Sequence, residues 1–432
     1  MPLASRLLGL SSMLGLVLTA GGARGAYQAG VLRRLGEIRA LRGAPLPFAI
    51  VAGASAGAIN GSLLAAHGTR FDEATTEIAR IWSGLRVEHV VRTDLRSLVC
   101  GAAGLTRDFV LGGLLGRTVT TSFFDASPLH TLFKRTFPSQ GIGKAIRQGH
   151  LYAIAVSATS YHSGRSITFV QGRPGHPVWV KSRRLVVPVT LRTEHILASA
   201  AIPLVFPPVP IASQSGELWF GDGGLRLVAP FSPAIRLGAT RVFAVGIRSA
   251  RAADSLARDE LGDSGTAGLE APRLTCPPLA QICGVFMNAI FLDHLDADLD
   301  HLRRMNELIA AHARTGDVRE PMRVVTPLVV SPSEDLAMVA QRFAHRMPRL
   351  VRYVLDGLGT PDAQSADLMS YLLFDQAYTR ALIDIGYRDA NARIDEIEEF
   401  LRVDPLPRTR GIPHVRAARA HKRLDLRPSA HP

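Results

Sequence analysis

Short runs of almost unbroken apolar residues, each entering a glycine-rich turn and then a helical pattern, constrain this chain more than any other feature. Leu14-Gly-Leu-Val-Leu leads into Gly21-Gly22-Ala23-Arg24-Gly25 and a helical stretch to Leu41. Phe48-Ala-Ile-Val-Ala leads into Gly53-Ala54-Ser55-Ala56-Gly57 and a second helical stretch through Ala65. A strand with one wet face alternates apolar and polar residues, whereas a strand covered on both faces reads as continuously apolar. Similar runs recur at Leu151–Ser157, Ile167–Val170, Glu217–Phe220 and Arg241–Gly246. The pattern predicts an α/β fold of three layers, α/β/α, around a mostly parallel central sheet.

The chain has 432 residues, 47% of them hydrophobic, which is enough for a sizeable core and excludes wholesale disorder. Composition divides it into an α/β domain over 12–250, an Ala-, Asp-, Gly- and Pro-rich linker over 251–278, and a helical C-terminal region over 279–402. Residues 403–432 form a basic tail expected to be disordered. The stretch from Phe71 to Gly149, between the second and third strands, is expected to be helical. Its Gly- and Leu-rich part, Leu98 to Leu115, reads equally well as a lid or as another packed layer.

A net charge of +13 favours anionic partners, and much of the excess sits in the tail. There Arg408, Arg410, Arg416, Arg419, Lys422, Arg423 and Arg427 face only Asp425. A solvated, frayed tail is the plain reading; an electrostatic tether to an anionic membrane surface is the functional one. No base-reading motif accompanies the charge, so no nucleic acid is expected. The three cysteines, Cys100, Cys276 and Cys283, have neither zinc-knuckle nor redox-pair spacing. Arg6 followed by two leucine-rich runs resembles a secretory leader. Cleavage near Thr19-Ala20 would cut into the Gly21 motif, however, so Leu14–Leu18 is read as the first core strand and the protein as cytoplasmic. No apolar run approaches the ~20 residues that a membrane-spanning helix requires.

Three motifs carry chemistry. Gly21-Gly22-Ala23-Arg24-Gly25, opening a helix after a strand, exposes backbone N–H groups where the helix dipole favours negative charge. It fits neither the dinucleotide fingerprint nor the P-loop, and by itself is compatible with a plain tight turn. Gly53-Ala54-Ser55-Ala56-Gly57 is a GxSxG turn between strand and helix, where small neighbours allow a sharp elbow that lifts the serine hydroxyl above the sheet. Gly221-Asp222-Gly223-Gly224 follows the apolar Leu218-Trp219-Phe220 and reads as either a solvated turn or a carboxylate poised beside the serine.

Together and in this order, GGARG, GASAG and DGG resemble the patatin-like phospholipase family. The block Ala198-Ser-Ala-Ala-Ile-Pro-Leu-Val-Phe-Pro-Pro resembles the segment that precedes that family's aspartate, and the likeness spans about residues 14 to 247. The helical remainder is similar to the extension of bacterial members. The resemblance implies Ser55 as nucleophile and Asp222 as its partner in a Ser–Asp dyad. It implies an oxyanion hole at Gly21, Gly22, Ala23, Arg24 and Gly25, an elbow at Gly53 and Gly57, and a supporting turn at Gly223 and Gly224. It further implies acyl-enzyme hydrolysis of a lipid ester, with no cofactor or metal; any membrane contact is expected to be peripheral, since no apolar run is long enough to span. For Arg24, bracing the loop is preferred over meeting a lipid phosphate.

Three rivals remain. A Ser–His–Asp hydrolase would need a histidine after Asp222, where His294, His301, His312 and His345 lie in helical surroundings. An acyltransferase would use the same acyl-enzyme, and a non-catalytic lipid-binding adaptor would retain only the fold. The Asp293, Asp296, Asp298, Asp300 cluster lacks the EF-hand glycine and glutamate and reads as a charged helix face. Oligomeric state is not legible.

Overall fold

A computed structural model describes residues 13–92, 122, 124–181, 183–213, 216–249, 279–291, 293–312, 323–347 and 366–402. The Leu98–Leu115 segment, the 251–278 linker and the basic tail fall outside these residues.

The strands are β1 (Leu14–Leu18), β2 (Ile50–Ala54), β3 (Ala153–Ser160), β4 (Ser166–Gly172), β5 (Val180–Lys181), β6 (Arg184–Pro188), β7 (Val209–Ser213), β8 (Gly216–Gly221), β9 (Arg241–Val245) and β10 (Thr326–Val330). They form one ten-stranded sheet whose main path runs β10-β9-β1-β2-β3-β4-β6-β5. From β10 to β3 every pairing is parallel. Beyond β3 the sheet is mixed: β4 pairs with it antiparallel, and the β7–β8 hairpin attaches to its far end through β8. The prediction of a mostly parallel central sheet is therefore met.

The helices are α1 (Gly25–Gly36), α2 (Ala56–Ala66), α3 (Phe71–Ser83), α4 (Ser127–Thr136), α5 (Ser139–Arg147), α6 (Thr193–Ser199), α7 (Ser232–Leu237), α8 (Leu279–Phe291), α9 (Asp293–His312), α10 (Leu336–Arg342), α11 (Ala366–Leu372), α12 (Gln376–Ala392) and α13 (Ile394–Leu401). Side chains alternate across the sheet, which is what makes three layers possible. Val17, Ile50, Ala52, Ala153, Ala155 and Ala244 face α7 and α9, in a core with Ala234, Leu237, Leu295 and Leu302. On the other face α2 lies against β1, β2 and β3, with α1 and α3 packed alongside. Every residue of β1 and β2 is buried, as their unbroken apolar sequence requires.

Two expectations are amended. The second strand runs Ile50–Ala54 rather than 48–52, because Gly53 and Ala54 continue the ladder against Val156 and Ser157. The ladder thus reaches the residue before Ser55. Among the described residues of 279–402, the helices are interrupted by β10, which pairs in parallel with β9 as an edge strand. Pro327 within β10 is tolerated there because an edge strand can leave one side of its ladder unpaired.

The C-terminal region also supplies the outer cover of α1. Helix α12 packs along it, burying Tyr378, Leu382, Ile383 and Ile385. Tyr27 donates to Asp389 at 3.1 Å and Arg34 to Asn391 at 2.7 Å across this contact. All the described residues fall in one compact unit, Met13–Arg402. A chain ending at residue 250 would expose the apolar face of α1 and the free edge of β9. Such a fragment is expected to lack a cooperative thermal transition and near-ultraviolet dichroism; a cooperative transition like that of the full chain would show the first 250 residues to be self-sufficient.

Candidate active site

Strands β1 and β2 are parallel neighbours with Leu18 beside Gly53, so the glycine loop and Ser55 leave the sheet side by side at its carboxyl edge. This edge is where open α/β sheets gather ligands. Ser55 has φ 53° and ψ −126°, an uncommon conformation for a residue with a side chain. Strain of this kind, about 1–3 kcal/mol, persists only where packing dictates it. Here α2 lies so close to β1 that a Cβ on Gly57 would come within 2.2 Å of the Leu18 carbonyl oxygen. A Cβ on Gly53 would likewise sit 2.4 Å from the Gly57 carbonyl oxygen. The small residues of the motif are thus a steric requirement of the elbow.

A hydroxyl that sequence reasoning left without a role ties the elbow down. Ser199, on α6, accepts a hydrogen bond from the Ser55 amide at 3.0 Å and donates to the Ser157 carbonyl at 2.5 Å. Two residues later, the Ala201 carbonyl accepts from the Asp222 amide at 2.8 Å. The Ala198–Pro208 block therefore holds both the serine and the aspartate. Its motif marked the segment, but no sequence signal specified these two bonds. Thr159 adds a third bond, donating to the Asp222 carbonyl at 2.8 Å.

Asp222 is 0% exposed. One carboxylate oxygen, Oδ1, accepts from the Gly224 amide at 2.8 Å; the other, Oδ2, has no hydrogen-bond partner. Burial pushes the Asp222 pKa up to about 7, against smaller opposing effects of the Ser55 hydroxyl and the Gly224 amide. The Ser55 hydroxyl is thus near enough to favour the ionised carboxylate, while Oδ2 accepts no formed bond. The two groups stand within reach of one another and are not joined by a formed bond. The structure brings together two residues 167 positions apart, and it replaces the solvated-turn alternative for Asp222 with a buried carboxyl. Tyr161, unremarked in the sequence, stands over the same rim, where a Cβ on Gly221 would lie 2.1 Å from its hydroxyl.

The glycine loop forms a short 3₁₀ turn, Gly22–Arg24, running directly into α1. The Arg24 amide donates to the Gly21 carbonyl at 3.1 Å, which occupies one of the amides expected to face an oxyanion. Asn60, on α2, donates to the Gly25 carbonyl and to Gln28, and receives the Trp82 indole N–H at 2.6 Å. The Arg24 side chain is buried and turns to α11, donating to Asp367 and Ser370. It is absent from the described lining of the cleft.

That cleft opens beside Ser55. Its empty space, counted out to open solvent, is about 630 Å³. Gly22 and Ser55 lie in its lining with apolar side chains from α2, α3 and α4, among them Leu63, Trp82, Leu132 and Phe133. Ile202 and Phe206 of the Ala198–Pro208 block complete the wall. No histidine is among the described lining residues. The buried His195 packs edge-on against Phe169 at 4.8 Å, in a structural role. Among the described residues no cluster of His, Cys, Asp or Glu could hold a metal ion, and no helix is long and apolar enough to cross a membrane.

A family model described as patatin-like phospholipase matches residues 16–235, just over half of the chain. The chain belongs to the patatin-like phospholipase family. No curated protein matches it. Similar solved structures include VipD from Legionella pneumophila, at 14% identity and TM-score 0.29, covering 86% of this chain and 67% of that one. Human GIVD cytosolic phospholipase A2, solved with methyl gamma-linolenyl fluorophosphonate, is 14% identical with TM-score 0.40, covering 90% of this chain and 59% of the human one. ExoU from the type III secretion system of Pseudomonas aeruginosa, solved with SpcU, is 14% identical with TM-score 0.25, covering 91% of this chain and 80% of its own. The chain thus spans about three-fifths of the human phospholipase's length. Membership in the patatin-like family makes this protein a lipid hydrolase by class.

The Asp222 carboxyl gives a test of the geometry that does not depend on catalysis. Its folded pKa, about 7, lies above the ~3.9 of an unfolded chain, so the native state binds this proton more tightly. That stabilisation is complete below pH ~4 and is lost as pH rises through about 7. Asp222→Asn removes the dependence. Its stability relative to wild type should increase by a few kcal/mol between pH 4 and pH 8 in denaturant titrations. A constant difference across that range would mean that the carboxyl is hydrated.

Proposed function

We propose that this protein hydrolyses lipid acyl esters with a Ser55–Asp222 dyad, through an acyl-enzyme intermediate. The observation that carries the reading is the pairing of a strained, elbow-mounted serine with a buried carboxyl whose Oδ2 is unpartnered, at the mouth of an apolar cleft. A serine hydroxyl is a weak nucleophile and needs a nearby base. A carboxylate with an ordinary pKa is a poor base at neutral pH, and desolvation makes it a better one.

The steps balance as ordinary acyl transfer. Ser55 Oγ attacks the ester carbonyl while its proton passes to Asp222. The carbonyl oxygen becomes an oxyanion, to which the amides of Gly22 and Ala23 are assigned as donors; the Arg24 amide is committed to Gly21. Collapse of the intermediate expels the alcohol, which takes the proton from Asp222. Water then repeats the sequence: its oxygen attacks the acyl carbon while Asp222 takes its proton, and collapse breaks the bond to Ser55 Oγ, which receives that proton from Asp222, so the carboxylic acid leaves and the Ser55 hydroxyl and Asp222 carboxylate are restored. The apolar cleft would hold the acyl chain, with the carbonyl at Ser55. This chemistry calls on no metal.

Ser55→Ala should lower turnover of a lipid ester by at least about 1,000-fold without disturbing folding, and Asp222→Asn should do the same within an order of magnitude. Because Asp222 must be ionised to act, kcat/KM should rise about tenfold per pH unit below pH ~7 and level off above it. Wild-type turnover by Ser55→Ala would exclude the dyad, and a flat profile from pH 5 to 9 would exclude Asp222 as the base.

Peripheral contact with anionic lipid through the basic tail is also proposed, on its sequence charge alone. Removing the residues after Arg408 should weaken binding to phosphatidylserine-containing vesicles, and the effect should shrink as salt is raised. Equal vesicle binding by the truncated and full chains would discard the tether.

A further inference from the structure

The Arg24 side chain sits in an enclosure built by the chain's C-terminal region. It is 2% exposed, and one face of α11 provides three of its contacts. Asp367, Ser370 and Tyr371 stand at i, i+3 and i+4, the spacing that aligns side chains along a helix. Arg24 Nη2 donates to Asp367 Oδ1 at 2.9 Å, and its Nε donates to Ser370 Oγ at 2.8 Å. The guanidinium lies 4.4 Å from the centroid of the Tyr371 ring, in cation–π geometry. The Ser370 hydroxyl spends its own proton on the Asp367 carbonyl at 2.5 Å, leaving a lone pair aimed at Arg24. The Tyr378 hydroxyl, on α12, lies 3.3 Å from both the Ser370 and the Leu336 carbonyl oxygens and donates its one proton between them.

Backbone contact completes the enclosure. Gly22 has φ +55°, and a Cβ there would lie 2.5 Å from the Tyr371 carbonyl oxygen. The loop is thus pressed directly onto α11 at the residue that lines the cleft beside Ser55. Burial disfavours a charged guanidinium, but the Asp367 carboxylate bonded to it opposes this, and Arg24 stays charged. A buried ion pair is a poor source of net stability, because desolvation cancels much of the attraction. Its directional bonds are better suited to fixing geometry, and Arg with a carboxylate has the most restrictive geometry available.

We infer that Asp367 and Ser370 are positioning residues for the reaction: through Arg24 they hold the Gly22 and Ala23 amides where the oxyanion forms. This gives the helical C-terminal region a part in catalysis. It rests on the proposed reading of those amides as the oxyanion donors. Arg24 itself acts from behind the loop and does not meet the substrate.

The test uses the full-length protein with two helix-compatible variants: Asp367→Ala removes the acceptor of Arg24 Nη2, and Ser370→Ala removes the acceptor of Arg24 Nε together with the hydroxyl's own bond to the Asp367 carbonyl. Amide hydrogen exchange is read over residues 21–25, and kcat and KM are read on a soluble acyl ester. Melting temperature and circular dichroism confirm folding. The expected result is exchange at the loop faster by about tenfold or more, kcat lower by about 10–100-fold and KM within about threefold, because a displaced donor acts only in the transition state. Binding of a trifluoromethyl ketone, whose serine adduct carries an oxyanion, should weaken by the same factor as kcat. A folded Asp367→Ala protein with wild-type exchange, or with wild-type kcat, overturns the clamp. Should Asp367→Ala prove unfolded, Ser370→Ala decides by the same readings. Wild-type turnover in Ser55→Ala would instead overturn the dyad, and the exchange measurement would still report whether α11 holds the loop.

Discussion

A carboxyl group kept from water is the constraint around which this site is arranged. Asp222 is wholly buried, carries one unpartnered oxygen and has its pKa near neutrality. Burying an unpaired polar oxygen costs about 1–3 kcal/mol, so the surroundings must compensate. They do so through backbone: the Asp222 amide on Ala201, its carbonyl on Thr159 and its Oδ1 on Gly224. With three bonds fixing the residue, only Oδ2 is free to respond to a neighbouring hydroxyl. The same segment that anchors the aspartate also anchors the serine, through Ser199, so that one short stretch sets the separation of the pair.

The glycine loop is held on two sides for a comparable reason. On one side Asn60, Gln28 and Trp82 form a buried polar group that fixes the Gly25 carbonyl. On the other, the Arg24 side chain is enclosed by α11. A loop offering backbone N–H groups to a developing charge gains from being rigid before the charge appears, since no reorganisation is then needed during reaction. Its bracing comes from helices of the α/β layer on one side and from α11 on the other, so both parts of the chain hold it in place.

Much of this was legible in the sequence, and the reasons are specific. Leu14–Leu18 and the run at Phe48 announced themselves because strands covered on both faces cannot accommodate polar residues. Ser55 was legible because its elbow demands glycine at Gly53 and Gly57, leaving a compositional trace. Strands β5, β6 and β7 were not, since Val180–Lys181 is too short to show a period and the other two carry prolines and exposed positions. Strand β10 sat among helical patterns, and only its parallel register with β9 reveals it. The Arg24 enclosure leaves no local signature: Asp367 and Ser370 are ordinary helix residues until the fold sets them more than 340 positions back along the chain, beside a buried guanidinium.

The place of β1 in the sheet also bears on how the chain reaches this structure. One of its edges pairs with β2, only about thirty-five residues away, but its other edge waits for Arg241–Val245. During synthesis the first strand therefore emerges long before its second partner exists. Throughout that interval an apolar strand edge lies open to any competing chain, the condition under which nascent proteins aggregate or recruit chaperones. Contacts this remote in sequence also slow folding. Strand β1 is thus made long before the strand that completes its pairing.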